Sequence, residues 1–344
     1  MTAMLRTPVL TALLAVASFG ASAADTIRVP VPWKAGQTLA YESESVQREL
    51  LDGEWTTRRL TDRTEFRIEA DGRDGDLLTT ATYDSRIEAL EGDRTTTDMI
   101  APLLDALDGY GIAIELGRDG RYRRLRDPEA VAAKIRAAML PIFAANLERM
   151  IGKPDPKVSK GEQDAALDFA MSRLEETVAA LITTEDVEMS STAQIRGMTG
   201  FVGKALKSGR PYRDREPLRL HHARAPLPAL REYTLTLDRD DPNLARIRWI
   251  HVLDTDGDPA ALWRLADEID GGASSASPRE GRPQGLTMRE EGLLVFRRDT
   301  GEIQMLETVE TRRYGKEHDE RDRSRMRLIG SPRTWAQEEA ARDR

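Results

Sequence analysis

The chain has no cysteine among its 344 residues. This absence excludes disulfide bonds, thiolate metal sites, iron–sulfur clusters and cysteine nucleophiles, and it excludes a lipid anchor attached through cysteine. Stability must therefore come from burial of an apolar core, and a chain of this length can bury enough surface for that.

Histidine is also scarce, with four residues. His221 and His222 are adjacent, and neighbouring residues of a strand point to opposite faces. His251 lies among apolar residues of a predicted strand, which indicates a half-buried imidazole. No two histidines have the helical spacing of hydrolytic zinc sites. We therefore expect no metal and no cofactor.

Three further scarcities limit the function. Aromatic residues make up 5% of the chain, so stacking platforms for sugars are few. The net charge of −8 disfavours nucleic acid as a partner, because phosphate binding requires a basic surface. The sequence contains neither a Gly-x-Ser-x-Gly elbow nor a glycine-rich phosphate loop after its first segment. Its 59 acidic residues leave paired carboxylates as the one open route to hydrolysis.

The N-terminus has the features of a secretory signal peptide. Arg6 precedes an apolar run from Val9 to Phe19, and small residues from Ala21 to Ala24 follow. The run is well short of the roughly 20 residues that span a bilayer. We expect cleavage after Ala23 or Ala24, a signal peptide at 1–23 and an exported, soluble chain at 24–344. The preference for arginine over lysine suggests a bacterial source, and we expect no second apolar segment, so the predicted location is the periplasm.

The first part of the mature chain predicts antiparallel strands. Residues 38–90 alternate with period two, and Asp-Gly pairs between the alternating segments suit hairpin turns. A short helix is expected over Asp98–Asp108, ending at Gly109. Two strands, Tyr110–Leu116 and Tyr122–Leu125, should then form another hairpin.

The middle of the chain predicts helices. Asp127-Pro128-Glu129 is a strong start signal, and Pro141 should kink or end the helix that follows. A linker near 152–161 marks a possible sub-boundary, and a second helix follows Ser159. After Met189 the residue pattern again predicts strands.

The last part predicts strands separated by turns and one loop. Tyr233–Leu237 and Ala245–Leu253 alternate around an Asp-Pro-Asn turn, and Leu294 and Phe296 pair with Ile303 and beyond. A short helix is expected after Asp258, and 271–285 has the composition of a mobile loop. The densely charged segment His318–Ile329 suits a solvent-exposed edge strand.

Two clusters resemble binding sites but have simpler explanations. Asp254-Thr255-Asp256-Gly257-Asp258 matches the start of a calcium loop, but the required later glycine and glutamate are replaced by Pro259 and Leu265. The arginines at 118, 121, 123, 124 and 126 could hold an anion, but pairing with nearby acids is the expected arrangement.

The order of elements favours an α+β fold: a curved, mostly antiparallel β-meander sheet with the central helices packed on its apolar face. We expect residues 24–344 to form a single domain, with two domains as the alternative.

Several short segments resemble uncharacterised bacterial exported β-rich proteins of the domain-of-unknown-function type. The segments are Gly36–Tyr41, Gly109–Ile114, Gly120–Tyr122, Tyr233–Leu235 and the hairpin around Thr300-Gly301. The resemblance implies export and a β-rich fold, and it transfers no catalytic residue.

These observations lead to three hypotheses about function. The first is a non-catalytic periplasmic protein that binds an apolar small molecule, a lipid or an envelope protein partner. The second is a hydrolase that uses paired carboxylates, and the third is a structural or assembly protein of the cell envelope. If an apolar ligand is bound, the expected lining is Tyr233, Ile247, Trp249 and His251.

Overall fold

The computed structural model describes residues 26–51, 53–71, 75–92, 94–151, 159–218, 226–254, 263, 286–314 and 318–342. The predicted signal peptide, His221 and His222, and the loop at 271–285 lie outside these residues. So do most of the calcium-like segment, the start of the helix expected after Asp258 and most of the sub-boundary at 152–161.

The described strands form one large antiparallel sheet and one small ribbon. Their bounds are β1 (Thr26–Arg28), β2 (Thr38–Leu51), β3 (Glu54–Ala70), β4 (Asp76–Glu91), β5 (Gly111–Leu116), β6 (Tyr122–Leu125), β7 (Ala205–Lys207), β8 (Pro211–Arg215), β9 (Ala229–Leu237), β10 (Leu244–Leu253), β11 (Thr287–Arg297), β12 (Ile303–Tyr314) and β13 (His318–Leu328). The large sheet has the order β6-β5-β4-β3-β2-β13-β12-β11-β10-β9-β8, and β1 pairs with β7. The sheet is open, and the α+β class with a large antiparallel sheet is confirmed.

The described helices follow the first group of strands, apart from one at the C-terminus. Their bounds are α1 (Arg94–Leu107), α2 (Pro128–Ile151), α3 (Lys160–Leu181), α4 (Thr184–Thr199) and α5 (Trp335–Arg342). One apolar cluster joins α4, through Val187, Ile195 and Met198, to strands from both halves of the chain. The core therefore lies between α4 and one face of the sheet, which we call the inner face.

The meander and hairpins are where the sequence predicted them. β2, β3 and β4 cover the alternating segment, and β5 pairs with β6. α1 begins one turn earlier than expected, and Gly109 after it has a positive φ of 67°, which glycine adopts without strain.

Two helix predictions need comment. Pro141 does not end α2, which continues to Ile151, and the alternative that Pro141 kinks the helix stays a prediction. Pro141 and Ala137 are both exposed, so the carbonyl that loses its hydrogen bond can be hydrated. The prediction of strands after Met189 was wrong: the chain there is helical, because α4 has Thr183 as its N-cap and buries Val187, Ile195 and Met198 at helical spacing.

The prediction of an edge strand over His318–Ile329 was also wrong, because β13 lies in the middle of the sheet between β12 and β2. Its arginines on the outer face lie between carboxylates of both neighbours. Arg325 contacts Glu44 at 2.6 Å, and Arg323 contacts Glu307 at 3.1 Å. Opposite charges facing each other across strands stabilise a charged central strand.

α2 includes a stretch that the sequence analysis overlooked. Pro128–Leu147 has a mean hydropathy of 1.4 and, by length and composition alone, could cross a membrane, yet only 11% of its most apolar window is buried. Lys134 and Arg136 interrupt the run, which is why the expectation of no second apolar segment missed it.

Candidate functional site

The residues of the inner face change from apolar to charged along the strands. Cross-strand pairing places its residues in rows that run from β9 to β2. The apolar row is Leu235, Ile247, Leu294, Leu306, Met326 and Ser43; the middle row is Tyr233, Trp249, Gly292, Thr308, Ser324 and Ser45; the charged row is Arg231, His251, Glu290, Glu310, Asp322 and Gln47. The apolar row packs under α4, and the charged row lies farther along the strands, on the other side of the middle row.

Small side chains of the middle row leave a groove under α4. Thr308 and Ser324 contribute little volume, so a space of about 460 Å³ remains beside them. Its volume lies in the range of small-molecule sites. The groove, which we call the α4 groove, runs from β9 to β13 across four strand spacings, roughly 19 Å. Its apolar lining includes Met189, Ala193, Leu218, Trp249, Met288, Leu306 and Met326.

α4 approaches the strands closely because residue 197 is glycine. A Cβ at Gly197 would lie 3.3 Å from Cδ2 of Leu306, which is a tight contact. Thr183 fixes the start of the helix, since its Oγ1 accepts a hydrogen bond from the Asp186 amide at 3.1 Å. The roof of the groove is thus held by a capped helix that packs directly on β12.

The structure brings two of the four predicted lining residues to the surface of the groove. Trp249 and His251 line it, although they are only 2% and 6% exposed. Ile247 is fully buried in the core beneath α4. Tyr233 stacks on Tyr212, and its hydroxyl donates to Asp214 at 2.9 Å. The proposal that these residues line a ligand stays a prediction.

Trp249 takes its position from a glycine that the sequence analysis did not single out. Gly292 is directly opposite Trp249 on β11, and a Cβ there would overlap the Cζ2, Cε2 and Cη2 atoms of the indole. The indole therefore lies flat across the backbone of β11, and its Nε1–H donates to Glu290 at 2.6 Å. A glycine inside a strand pattern signals such a close approach.

The charged groups around the groove are already partnered within the chain. Arg231, whose side chain is buried, donates to Glu216 at 2.8 Å and lies 4.4 Å above the Phe201 ring. Arg196 donates to the Met189 carbonyl at 2.7 Å. The Nε of Arg231 has no partner, but it is buried away from the groove. A ligand can therefore cover the apolar side chains of the groove without breaking an ion pair.

His251 differs from the other polar groups of the groove. Its Nε2 lies 2.8 Å from the carbonyl oxygen of Glu216. A carbonyl only accepts, so Nε2 carries the proton and Nδ1 of the neutral ring is an acceptor. Within the described part of the chain, Nδ1 has no hydrogen-bond partner.

A carboxylate–arginine cluster lies at the β13 end, formed by Glu310, Arg312, Glu320 and Asp322. Arg312 contacts Glu310 and Glu320 at 2.8 Å each and Asp322 at 4.0 Å. Burial, followed by repulsion from Glu320, raises the pKa of Asp322 to about 7, against the attraction of Arg312. The sequence could not reveal this cluster, because its members come together only when β12 and β13 pair.

The other predicted clusters are structural. Arg124 pairs with Glu115 at 2.8 Å, and Arg126 pairs with Asp71 at 2.8 Å, as expected for a solvated hairpin. Of the residues that the structure describes, no three His, Asp or Glu side chains are arranged to hold a metal ion.

A second depression lies on the outer face of the same strands. It has a volume of about 550 Å³, and its lining includes Arg248, Ile250, Leu293 and Val309. Its carboxylates Glu232 and Glu291 are in exposed ion pairs with Arg213 and Arg289. Its buried carboxylate, Glu307, is paired with Arg323 at 3.1 Å, whereas Nδ1 of His251 has no partner in the described chain, so the α4 groove is the candidate site.

The likeness to known proteins is weak. No protein-family model and no curated protein matches the sequence. A solved structure reported under lipid–protein interactions in lipovitellin is similar, with a TM-score of 0.41 and 9% identity. The match covers 86% of this chain and 25% of the lipovitellin chain, so this protein spans about a quarter of that neighbour's length. A likeness at this level does not bear on function.

Proposed function

We propose that the protein binds an apolar small molecule or lipid in the α4 groove and does not transform it. The observation that carries this proposal is the lining: an apolar floor formed by Trp249, Leu306 and Met326 lies beside charged groups that are already paired. Covering apolar surface is favourable, whereas breaking the buried pairs would be costly.

The proposed place of action is the periplasm of a bacterium. Support comes from the N-terminal segment, with its basic start, short apolar run and small residues before Asp25. The resemblance to bacterial exported β-rich proteins points the same way.

A fluorescence titration with N-phenyl-1-naphthylamine tests the proposal. Wild-type protein should bind this neutral apolar probe, and Thr308→Phe should weaken binding by about tenfold or more, because the ring fills the middle row. Val309→Phe is the matched control, since Val309 belongs to the neighbouring depression on the outer face. Equal binding by Thr308→Phe and wild type would exclude the α4 groove as the site.

An envelope protein partner is the second form of the binding hypothesis, and it would also suit an assembly role. Phe169 on α3 is 68% exposed, and the apolar stretch of α2 is largely uncovered. Exposed apolar surface of this kind marks contact sites. Cross-linking in intact cells should capture a partner with wild type and lose it with Phe169→Glu, while probe binding in the groove is unchanged.

A hydrolase is the competing function, and the carboxylate–arginine cluster is the observation that favours it. A carboxyl whose pKa lies near 7 can donate a proton at neutral pH. Hydrolysis of p-nitrophenyl glycosides that is present in wild type and absent in Asp322→Asn would support this function. No turnover by either protein would leave binding as the function of the groove.

A further inference from the structure

We infer that the α4 groove selects an apolar molecule whose polar end is an uncharged hydroxyl group, held by Nδ1 of His251, and that it rejects the corresponding carboxylate. This inference rests on the proposed function and adds the chemistry of the ligand's polar end.

The first step is the position of His251. Its side chain is more than nine-tenths buried and still lines the groove. The Glu216 carbonyl fixes the ring by accepting from Nε2 at 2.8 Å. The remaining ring nitrogen is then an acceptor without a partner in the described chain, and a ligand hydroxyl in the groove can donate to it.

The second step is the charge of the wall beside His251. Glu290 is directly opposite His251 across the β10–β11 pair, and Glu310 is directly opposite Glu290 across the β11–β12 pair. Both side chains line the groove. A ligand carboxylate placed at Nδ1 would face the lone pair of the ring and, one strand away, the Glu290 carboxylate, and like charges in a partly buried site repel.

The third step is that the nearby arginines already have carboxylate partners. Arg231 binds Glu216 through Nη1, and its unpartnered Nε is buried away from the groove. Arg312 binds Glu310 and Glu320. A carboxylate ligand could recruit either arginine only by separating it from a carboxylate, which would leave that carboxylate uncompensated. A hydroxyl requires no such exchange, because it donates to Nδ1 and remains neutral.

The apolar part of the ligand has a defined direction. From His251 on β10 the groove continues past Trp249 and Leu306 toward Met326 on β13. A chain or ring system attached to the hydroxyl would thus cover the apolar wall and leave the charged row on its other side.

Displacement of N-phenyl-1-naphthylamine by 1-decanol and by decanoate at pH 8, where the decanoate carboxylate is ionised, tests the inference. We expect 1-decanol to compete and decanoate to compete about tenfold or more weakly. Equal competition by the two would overturn the inference and leave the proposed function standing. If the probe and the two ligands all fail to bind, the inference and the proposed function are both wrong.

Two variants separate the acceptor from the charged wall. His251→Leu removes the Nδ1 acceptor and supplies no other, so binding of 1-decanol should weaken about tenfold while binding of the probe is unaffected. Glu290→Gln still accepts from Trp249 and removes one charge, so decanoate should bind more tightly. Glu291→Gln, on the opposite face of the same strand, is the matched control and should change neither. If decanoate binds to Glu290→Gln as weakly as it binds to wild type, the Glu290 charge does not exclude the carboxylate.

Discussion

Replacing Gly292 by alanine should disturb both the fold and the groove, although it adds a single methyl group. That methyl would occupy the space of the Trp249 indole, which lies across residue 292 and packs 5.5 Å from the Phe201 ring. The indole must move, and its hydrogen bond to Glu290 must weaken or break.

The expected loss follows from these two effects. Overpacking a core position costs about 1–3 kcal/mol, and a hydrogen bond to a charged group contributes about 1.5–3 kcal/mol. Alanine offsets about 0.5–1 kcal/mol of this sum because it restricts the unfolded chain more than glycine does. We expect the free energy of unfolding to fall by about 2–4 kcal/mol, because part of the strain relaxes into the groove.

Equilibrium urea unfolding measures this loss through a lower midpoint at unchanged slope. Gly161→Ala is the control, since nothing lies within 4 Å of a Cβ at Gly161 and alanine favours α3. That control should be as stable as wild type or slightly more so. A Gly292→Ala protein with wild-type stability would refute the placement of the indole across β11.

Three further predictions concern charged groups. Glu338→Ala removes a partner of the buried Arg246, which lies 2.9 Å from that carboxylate, and should cost about 3–5 kcal/mol in urea unfolding; Glu176→Ala, in an exposed pair with Arg173, should cost less than about 1 kcal/mol. Burial raises the pKa of Asp322 to about 7, so the folded state holds a proton that the unfolded state releases from about pH 4 upward. The free energy of unfolding should therefore fall as the pH rises from about 4 to about 7, and Asp322→Asn should flatten that fall. Burial would raise the pKa of Asp238, but hydrogen bonds from Arg333 and from two backbone amides outweigh it and lower the pKa. The ionised carboxylate therefore stabilises the folded state at neutral pH, and this stabilisation should be lost as the pH falls below about 4. Asp238→Asn should lack this stabilisation at every pH.

Much of the fold could be predicted because local signals and tertiary structure agree. Alternation over 38–90, Asp-Gly turns and the Asp127-Pro128-Glu129 start each specify a strand, hairpin or helix without reference to distant residues. The position of β13 could not be predicted in this way. Its charges are typical of an exposed edge, and carboxylates on its neighbours, such as Glu42, Glu44 and Glu307, make a central place favourable.

The groove was partly visible in the sequence. Trp249 and His251 could be placed on one face of a strand by period-two spacing, and both line the groove. The space beside them depends on Thr308 and Ser324, which come from two strands and align only through cross-strand pairing. The roof was missed for a different reason: Thr, Ser and Met residues around 188–193 mask the helical spacing of α4.

Native mass spectrometry of the protein purified from the periplasm of a bacterial host tests the central claim most directly. Wild type and Val309→Phe should each carry one apolar, hydroxyl-bearing small molecule per chain, and Thr308→Phe should have the mass of the bare chain. A bare mass for wild type, or the same bound molecule on Thr308→Phe, would contradict the assignment of the α4 groove as the binding site.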